Sequence, residues 1–256
     1  MLLFSALAIP ALVVLPDGRA ARIFKSDEAV SNYLVTRVAQ LANDAINAKG
    51  SFSMSIGSGT TVTPLSGLAG NVDFSKVHIF FGNERTEGDA AGKCFDFATE
   101  CGFIANCEIP SANIHRVPSL SAEEAAAAYE AELRAMPDAI VGTNARSGLP
   151  SLDLCLLGSG ADGHCASLYP ESPQVVCSPG SERVVLPADG KGGVTLSLDA
   201  IGSACNVILS AGKPTQSDMV RKCLGWSNAA TNTKLPAGSP CARGRRERAP
   251  RRRPHP

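Results

Sequence analysis

The sequence predicts an α/β protein built on a mainly parallel sheet with helices on both faces. Three observations carry that expectation. Short apolar or β-branched runs alternate with segments of helical periodicity, the pattern of strand–helix–strand units. Three of these runs end in Gly-rich or charged loops, after Ile56, Phe81 and Leu157. The length of 256 residues suits one such domain with a sizeable core.

The elements follow in order. Ala21 to Phe24 is a short strand. Ser26, Asp27 and Glu28 supply an oxygen cap and first-turn acids, so a helix starts there. Val30, Leu34, Val38, Leu41 and Ile46 continue it at helical spacing, and Gly50 closes it. Phe52 to Ile56 is a strand running into GSGTT. The β-branched and aromatic run Val77 to Phe81 is a buried strand. Residues 89–110 are ambiguous and partly helical, and Ile114 to Val117 is a further short strand. Ser121 and Glu124 form a capping box before AAAAYEAELRAM, which Pro137 stops. The apolar run Leu152 to Leu157 fits a buried parallel strand. Val194 to Leu198 and Val207 to Ser210 are two more strands, and a helix of about ten residues lies between 210 and Leu224.

Composition narrows the class. Formal net charge is zero, but residues 241–256 hold seven Arg and one Glu, which leaves 17 basic against 23 acidic residues in 1–240. The body is therefore mildly acidic, and no nucleic-acid partner is expected. The tail CARGRRERAPRRRPHP reads more as a gene-model or frame artefact than as a basic arm, and is expected to stay disordered and dispensable. Residues 1–19 open with an apolar run that has no basic residue before Arg19, and is too short for a comfortable span. It reads as an extra strand or leader rather than a signal or membrane anchor. Nine Cys without a CxxC pair indicate reduced thiols and no metal site. The body, residues 20–240, reads as one domain.

In open parallel sheets, ligands bind beyond the carboxyl ends of the strands, so the three loops are candidates for one composite site. The stretch LLGSGADGHCASLYP contains GxGxxG from Gly158 to Gly163, yet Pro170 and Pro173 leave no room for the long helix a dinucleotide site needs. No organic cofactor is expected. Asp162 and His164 form a better unit. A carboxylate can fix the tautomer of an imidazole base, while Gly160 and Gly163 permit close approach and offer N–H groups to an oxyanion. The bland alternative is a capped turn. Gly57, Ser58, Gly59 and Thr60 suit a phosphate at a strand-to-helix turn, or form an ordinary turn. Glu84 and Arg85 follow the VHIFF strand. Arg85 could fork onto a phosphate or carboxylate, or the two could be a surface ion pair. His78 reads as a core histidine and Cys165 as a packed thiol.

Taken jointly, these loops resemble the 6-phosphogluconolactonase family. DLCLLGSGADGHCASLYP is similar to its L-G-x-G-x-D-G-H-x-A-S-L-[FY]-P signature. VHIFFGNER resembles its strand ending in D-E-R, and FSMSIGSGTT its L-x-G-G-S-T-P segment. SANIHRVP and GGVTLSLDAIGSACNVILSAGK also have counterparts in order, over roughly residues 20–238. The resemblance implies a Rossmann-like α/β fold and hydrolysis of 6-phosphoglucono-1,5-lactone to 6-phosphogluconate in the oxidative pentose phosphate pathway. It implies His164 as general base with Asp162 beside it, Arg85 as a phosphate ligand, and no metal or cofactor. Lys213 matches the late family lysine. The chain departs from the pattern at Asn83, where the family has Asp, at Gly57-Ser58-Gly59, near Lys93 where a Ser-Asn pair is missing, and at Gly193, where an Arg is expected before V-T-L. Glucosamine-6-phosphate deaminase is a weaker match, because its loop continues toward N-E-P rather than Ala166 to Pro170. A sugar-phosphate-binding protein without turnover is the third reading. The expected setting is a monomer in the cytoplasm, with a plastid as the alternative, and a sugar-phosphate lactone as its small-molecule partner.

Overall fold

A computed structural model of the chain describes residues 11–224 apart from positions 16, 17, 178, 189 and 191. The Arg-rich tail and residues 1–10 of the expected leader lie outside the described residues. The chain opens with a hairpin, β1 (Ala11–Val14) against β2 (Ala20–Ile23), paired antiparallel. The long helix α1 (Asp27–Lys49) follows. Ser26 accepts the Ala29 N–H at 3.2 Å, and Gly50 adopts a left-handed φ of 90° with its N–H on Ile46. Both ends therefore carry the caps their residue types favour.

Next come β3 (Phe52–Ile56), β4 (Val77–Phe81) and the short β5 (Asn83–Arg85). Two short helices, α2 (Lys93–Glu100) and α3 (Phe103–Asn106), fill the ambiguous Cys-bearing stretch. Helix α4 (Ala122–Ala135) starts at Ser121, whose hydroxyl bonds both the N–H and the carboxylate of Glu124. A minimal pair, β6 (Gly142–Thr143) and β7 (Pro150–Ser151), leads to β8 (Leu154–Gly158) and the one-turn α5 (Pro173–Val176). The chain then runs through β9 (Val185–Ala188), β10 (Gly193–Leu196), α6 (Leu198–Ser203), β11 (Asn206–Ser210) and α7 (Ser217–Leu224).

The central sheet has the order β11-β8-β3-β4 and is wholly parallel, with helices flanking it. Its inner strands are buried along their length, as a sheet covered on both faces requires. One contiguous core joins them to Leu34, Val38 and Ala42 of α1 and to Ala125, Tyr129 and Leu133 of α4. Among the described residues no helix is long and apolar enough to cross a membrane.

Three expectations change. The 194–198 strand does not join the parallel sheet: β10 is the middle of a separate antiparallel sheet, β5-β10-β9. It stops at Leu196 because Ser197 caps α6, accepting the Ala200 N–H at 3.0 Å. The strand at Ala20–Ile23 pairs only within its hairpin. Ile114 to Val117 makes a single bridge, Ile79 to Ile114, along the outer edge of β4. Two neighbouring prolines, Pro110 and Pro118, keep that segment short. The buried Tyr129 hydroxyl completes the edge: it accepts the Phe81 N–H at 2.8 Å and donates to the His115 carbonyl at 3.2 Å. His78 is half-buried beside this strap, its Nδ1 3.1 Å from His115 Nε2. Burial first, then the neighbouring His115 and Lys49, lower its pKa.

Candidate active site

The carboxyl ends of all four parallel strands open on one cleft of about 250 Å³. From β3 come Gly57, Ser58, Gly59 and Thr60. Gly82 just past β4 and Asn83 and Arg85 of β5 follow. The loop after β8 supplies Ser159, His164, Ala166, Ser167 and Tyr169, and the segment after β11 supplies Lys213 and Gln216. Loops that are far apart in sequence are thus gathered at one sheet edge, where this architecture places ligands.

The β8 loop is folded around its histidine. His164 Nδ1 lies 2.7 Å from Asp162 Oδ1, and the same oxygen accepts the His164 backbone N–H at 3.2 Å. For Asp162, burial would raise the carboxyl pKa, but these hydrogen bonds and the charge of a protonated His164 outweigh it, and the net shift is downward. The carboxylate stays ionised and fixes the proton on Nδ1, which leaves Nε2 as the acceptor nitrogen. No helix follows until the one-turn α5, so no long helix stands behind the glycines.

Gly160 and Gly163 serve differently from expectation. Their N–H groups are spent inside the loop, on the carbonyls of His164 at 2.9 Å and of Gly160 at 3.1 Å. They line no part of the cleft. Gly163 is needed for its φ of 92°, and a Cβ on Gly160 would run into His164 Nδ1 and Asp162 Oδ1. Both shape the loop.

Glu84 is the larger correction. It is buried and turned away from the cleft. Its carboxylate accepts the N–H groups of Arg85 and Cys94, each at 2.8 Å, and of Phe95 at 2.9 Å. It therefore caps the N-terminus of α2, where an anion is favoured. Burial raises its pKa and the backbone donors oppose that rise. The neighbouring Cys94 thiol is pushed up to about 12 by burial and by the Glu84 charge, which makes it inert as a nucleophile. With Glu84 turned inward on β5, Arg85 faces the cleft.

Other lining residues were not among the expected site residues, Asn83, Ser167, Tyr169 and Gln216 among them. Asn83 donates to Ser167 Oγ at 3.3 Å, and Ser167 donates its N–H to Thr195 Oγ1 at 3.2 Å. These bonds join β5, the histidine loop and β10. They also hold Ala166, whose φ of 52° is uncommon for a residue with a side chain. Gln216 accepts the Lys213 N–H at 2.8 Å and donates to the Ser159 carbonyl, which ties the lysine segment to the histidine loop. Tyr169 packs beside the imidazole. The aromatic in L-Y-P was a visible signal for Tyr169. Nothing local marks Gln216, whose partners come from a distant loop. Among the described residues no Asp or Glu lines the cleft, while Arg85, Lys213 and His164 do. Among the described residues no group of three or more His, Cys, Asp or Glu is arranged to hold a metal ion.

Gly193, where an Arg was expected, lies opposite Arg85 in the β5–β10 register. A Cβ there would strike the Glu84 carbonyl and come within 3.1 Å of Arg85 Cα. In this chain the position has no space for a side chain.

The fold and site define a Rossmann-like α/β protein with a cleft lined by Arg85 and Lys213 and a carboxylate-held histidine. Solved structures share the fold. A 6-phosphogluconolactonase from Shewanella baltica OS155 superposes with a TM-score of 0.69 at 21% identity, covering 86% of this chain and 91% of that one. A 6-phosphogluconolactonase from Plasmodium vivax gives 0.70 at 17%, covering 90% and 89%. The family model for glucosamine-6-phosphate isomerases/6-phosphogluconolactonase matches residues 25–248, and the chain belongs to that family. A 6-phosphogluconolactonase of Nostoc sp. is 30% identical over 201 residues, 76% of this chain and 77% of that protein. The probable chloroplastic 6-phosphogluconolactonase 3 of Oryza sativa is 34% identical over 161 residues, 60% of this chain. That match spans about half, 49%, of the rice protein.

Proposed function

We propose that the chain hydrolyses 6-phosphoglucono-1,5-lactone to 6-phosphogluconate, with His164 as general base. The observation that carries this reading is the 2.7 Å pairing of His164 Nδ1 with Asp162 beside a cleft that Arg85 and Lys213 line. The family membership and the names of the relatives support the substrate.

The chemistry follows from that geometry. His164 Nε2 takes a proton from water as the water oxygen bonds to the lactone carbonyl carbon. Asp162 stabilises the imidazolium that forms. The tetrahedral oxyanion collapses, the bond from C1 to the ring oxygen breaks, and the imidazolium returns its proton to that oxygen. The product is an open-chain carboxylic acid, which loses its proton to solvent to give the carboxylate. Arg85 and Lys213 hold the phosphate, and the Gly57–Thr60 loop lies beside it. General-base assistance supplies about 10²–10⁴-fold.

A coupled assay of lactone opening, with spontaneous hydrolysis subtracted, tests this. The expected result is a rate well above background that His164→Ala removes; a rate equal to background sinks the reading. Asn83, neutral where the family carries an acid, favours one second reading: a sugar-phosphate binder of reduced turnover. It requires binding of 6-phosphogluconate without a rate. The same proposal takes the protein as a monomer acting in the cytoplasm. The chloroplastic names of the rice relatives support a plastid instead, and a tagged full-length chain viewed in cells decides between them.

A further inference from the structure

The His164 imidazole has three built neighbours. Asp162 holds Nδ1 at 2.7 Å. Gly160 lies against Nδ1 and Cε1 so closely that no Cβ fits between them. The third is Tyr169, whose ring centroid lies 4.8 Å from that of His164 with the planes at 35°. Tyr169 lines the same cleft and follows the fully buried Leu168, so its ring is carried by a packed segment. Nothing in the proposed mechanism has used it.

An aromatic ring attracts a cation within about 6 Å of its centroid more than it attracts the neutral form of the same group. Tyr169 therefore distinguishes the two protonation states of the base. The charged groups around His164 are Asp162, paired with Nδ1, and Arg85 and Lys213, which line the same cleft. We infer that Tyr169 is a positioning residue for the base: its ring sets the plane of His164 and favours the imidazolium formed while the water proton resides on Nε2. This rests on the lactonase reading of the site. The role belongs to the ring and not to the phenol.

The test uses the full chain with Tyr169→Phe and Tyr169→Leu. Phe is expected to keep kcat within about twofold. Leu is expected to lower kcat by about threefold to tenfold with KM unchanged, and to move the acid limb of the pH profile down by roughly half a unit to one unit. NMR titration of the His164 ring protons without substrate should show the same downward displacement. Fluorinated phenylalanines at 169 weaken the ring's attraction without changing its size, so they cover the case in which the Leu variant does not fold. Stepwise lowering of the His164 midpoint along that series supports the inference, and a flat series overturns it. Equal losses in Phe and Leu would assign the effect to the hydroxyl and also overturn it. The titration needs no turnover, so a chain inactive on the lactone would refute the lactonase reading while the coupling of Tyr169 to His164 is still decided.

Discussion

Gly160 lies so close to His164 that a methyl group on its Cα would overlap Nδ1 of the imidazole and Oδ1 of its partner Asp162. The contact is between one residue's backbone and another's functional edge. A side chain at 160 must displace the base or its orienting acid. Gly160→Ala should therefore lower kcat by at least tenfold, while the melting temperature changes by only a few degrees. Calorimetry beside the lactone assay checks it. Full activity would mean that the imidazole works from another position.

His164→Ala should reduce turnover by about 10²-fold or more with the fold intact, because the ring is partly exposed and carries little of the core. Asp162→Asn should cost less than His164→Ala, since it leaves the base but removes the carboxylate that fixes its tautomer. A rate in Asp162→Asn lower than in His164→Ala would reverse the two roles.

Arg85→Ala should raise KM far more than it lowers kcat. A lost charged hydrogen bond costs roughly 1.5–3 kcal/mol, or about tenfold to a hundredfold in binding. On a lactone lacking the phosphate the variant and the parent should converge. Equal losses on both substrates would show that Arg85 does not read the phosphate.

Glu84→Ala should destabilise the protein, because three backbone N–H groups at the start of α2 lose their acceptor. Each buried orphan donor costs about 1–3 kcal/mol. Glu84→Gln keeps an acceptor oxygen and should fall between. Chemical denaturation of the three proteins measures the order.

Glu130 gives a pH signature. Burial would raise its pKa, but the N–H groups of Val185 and Val184 and the charges of Arg134 and Arg183 outweigh it, and the net shift is downward. A carboxyl lowered in the folded state adds stability above its unfolded pKa, and that stability is lost as pH falls through the folded value. Glu130→Gln should thus be less stable than the parent at pH 7. The gap should close as the pH drops below the ordinary carboxylate range. A gap independent of pH would mean that the charge is irrelevant.

The strands of the central sheet were legible because each is a short apolar run ending in glycine or charge, as FSMSI and LCLLG show. Helix α1 was legible from its caps. The second sheet was not. VTL reads the same whether its partner is parallel or antiparallel, and the pairing of Gly193 with Arg85 is a non-local fact. Glu84 was misjudged for a related reason. Next to Arg85 it suggested a ligand or an ion pair, whereas its partners are backbone donors of a helix that the sequence left ambiguous. That His164 and Arg85 meet at one cleft was legible because their loops follow strands of one parallel sheet. Gln216 was not legible, since its importance comes from a bond to Ser159 across the cleft.

The two-sheet construction sets an order of assembly. The loop bearing His164 hangs from β8, which can pair with β3 once residues up to 158 are available. Arg85 emerges much earlier in the chain, yet its strand β5 has no partner until β10 arrives. Contacts that span long stretches of sequence form late. Ser167 of the histidine loop also waits for β10, through Thr195, so a chain growing from its N-terminus fixes the loop of its base and the strand of its guanidinium in the same late step.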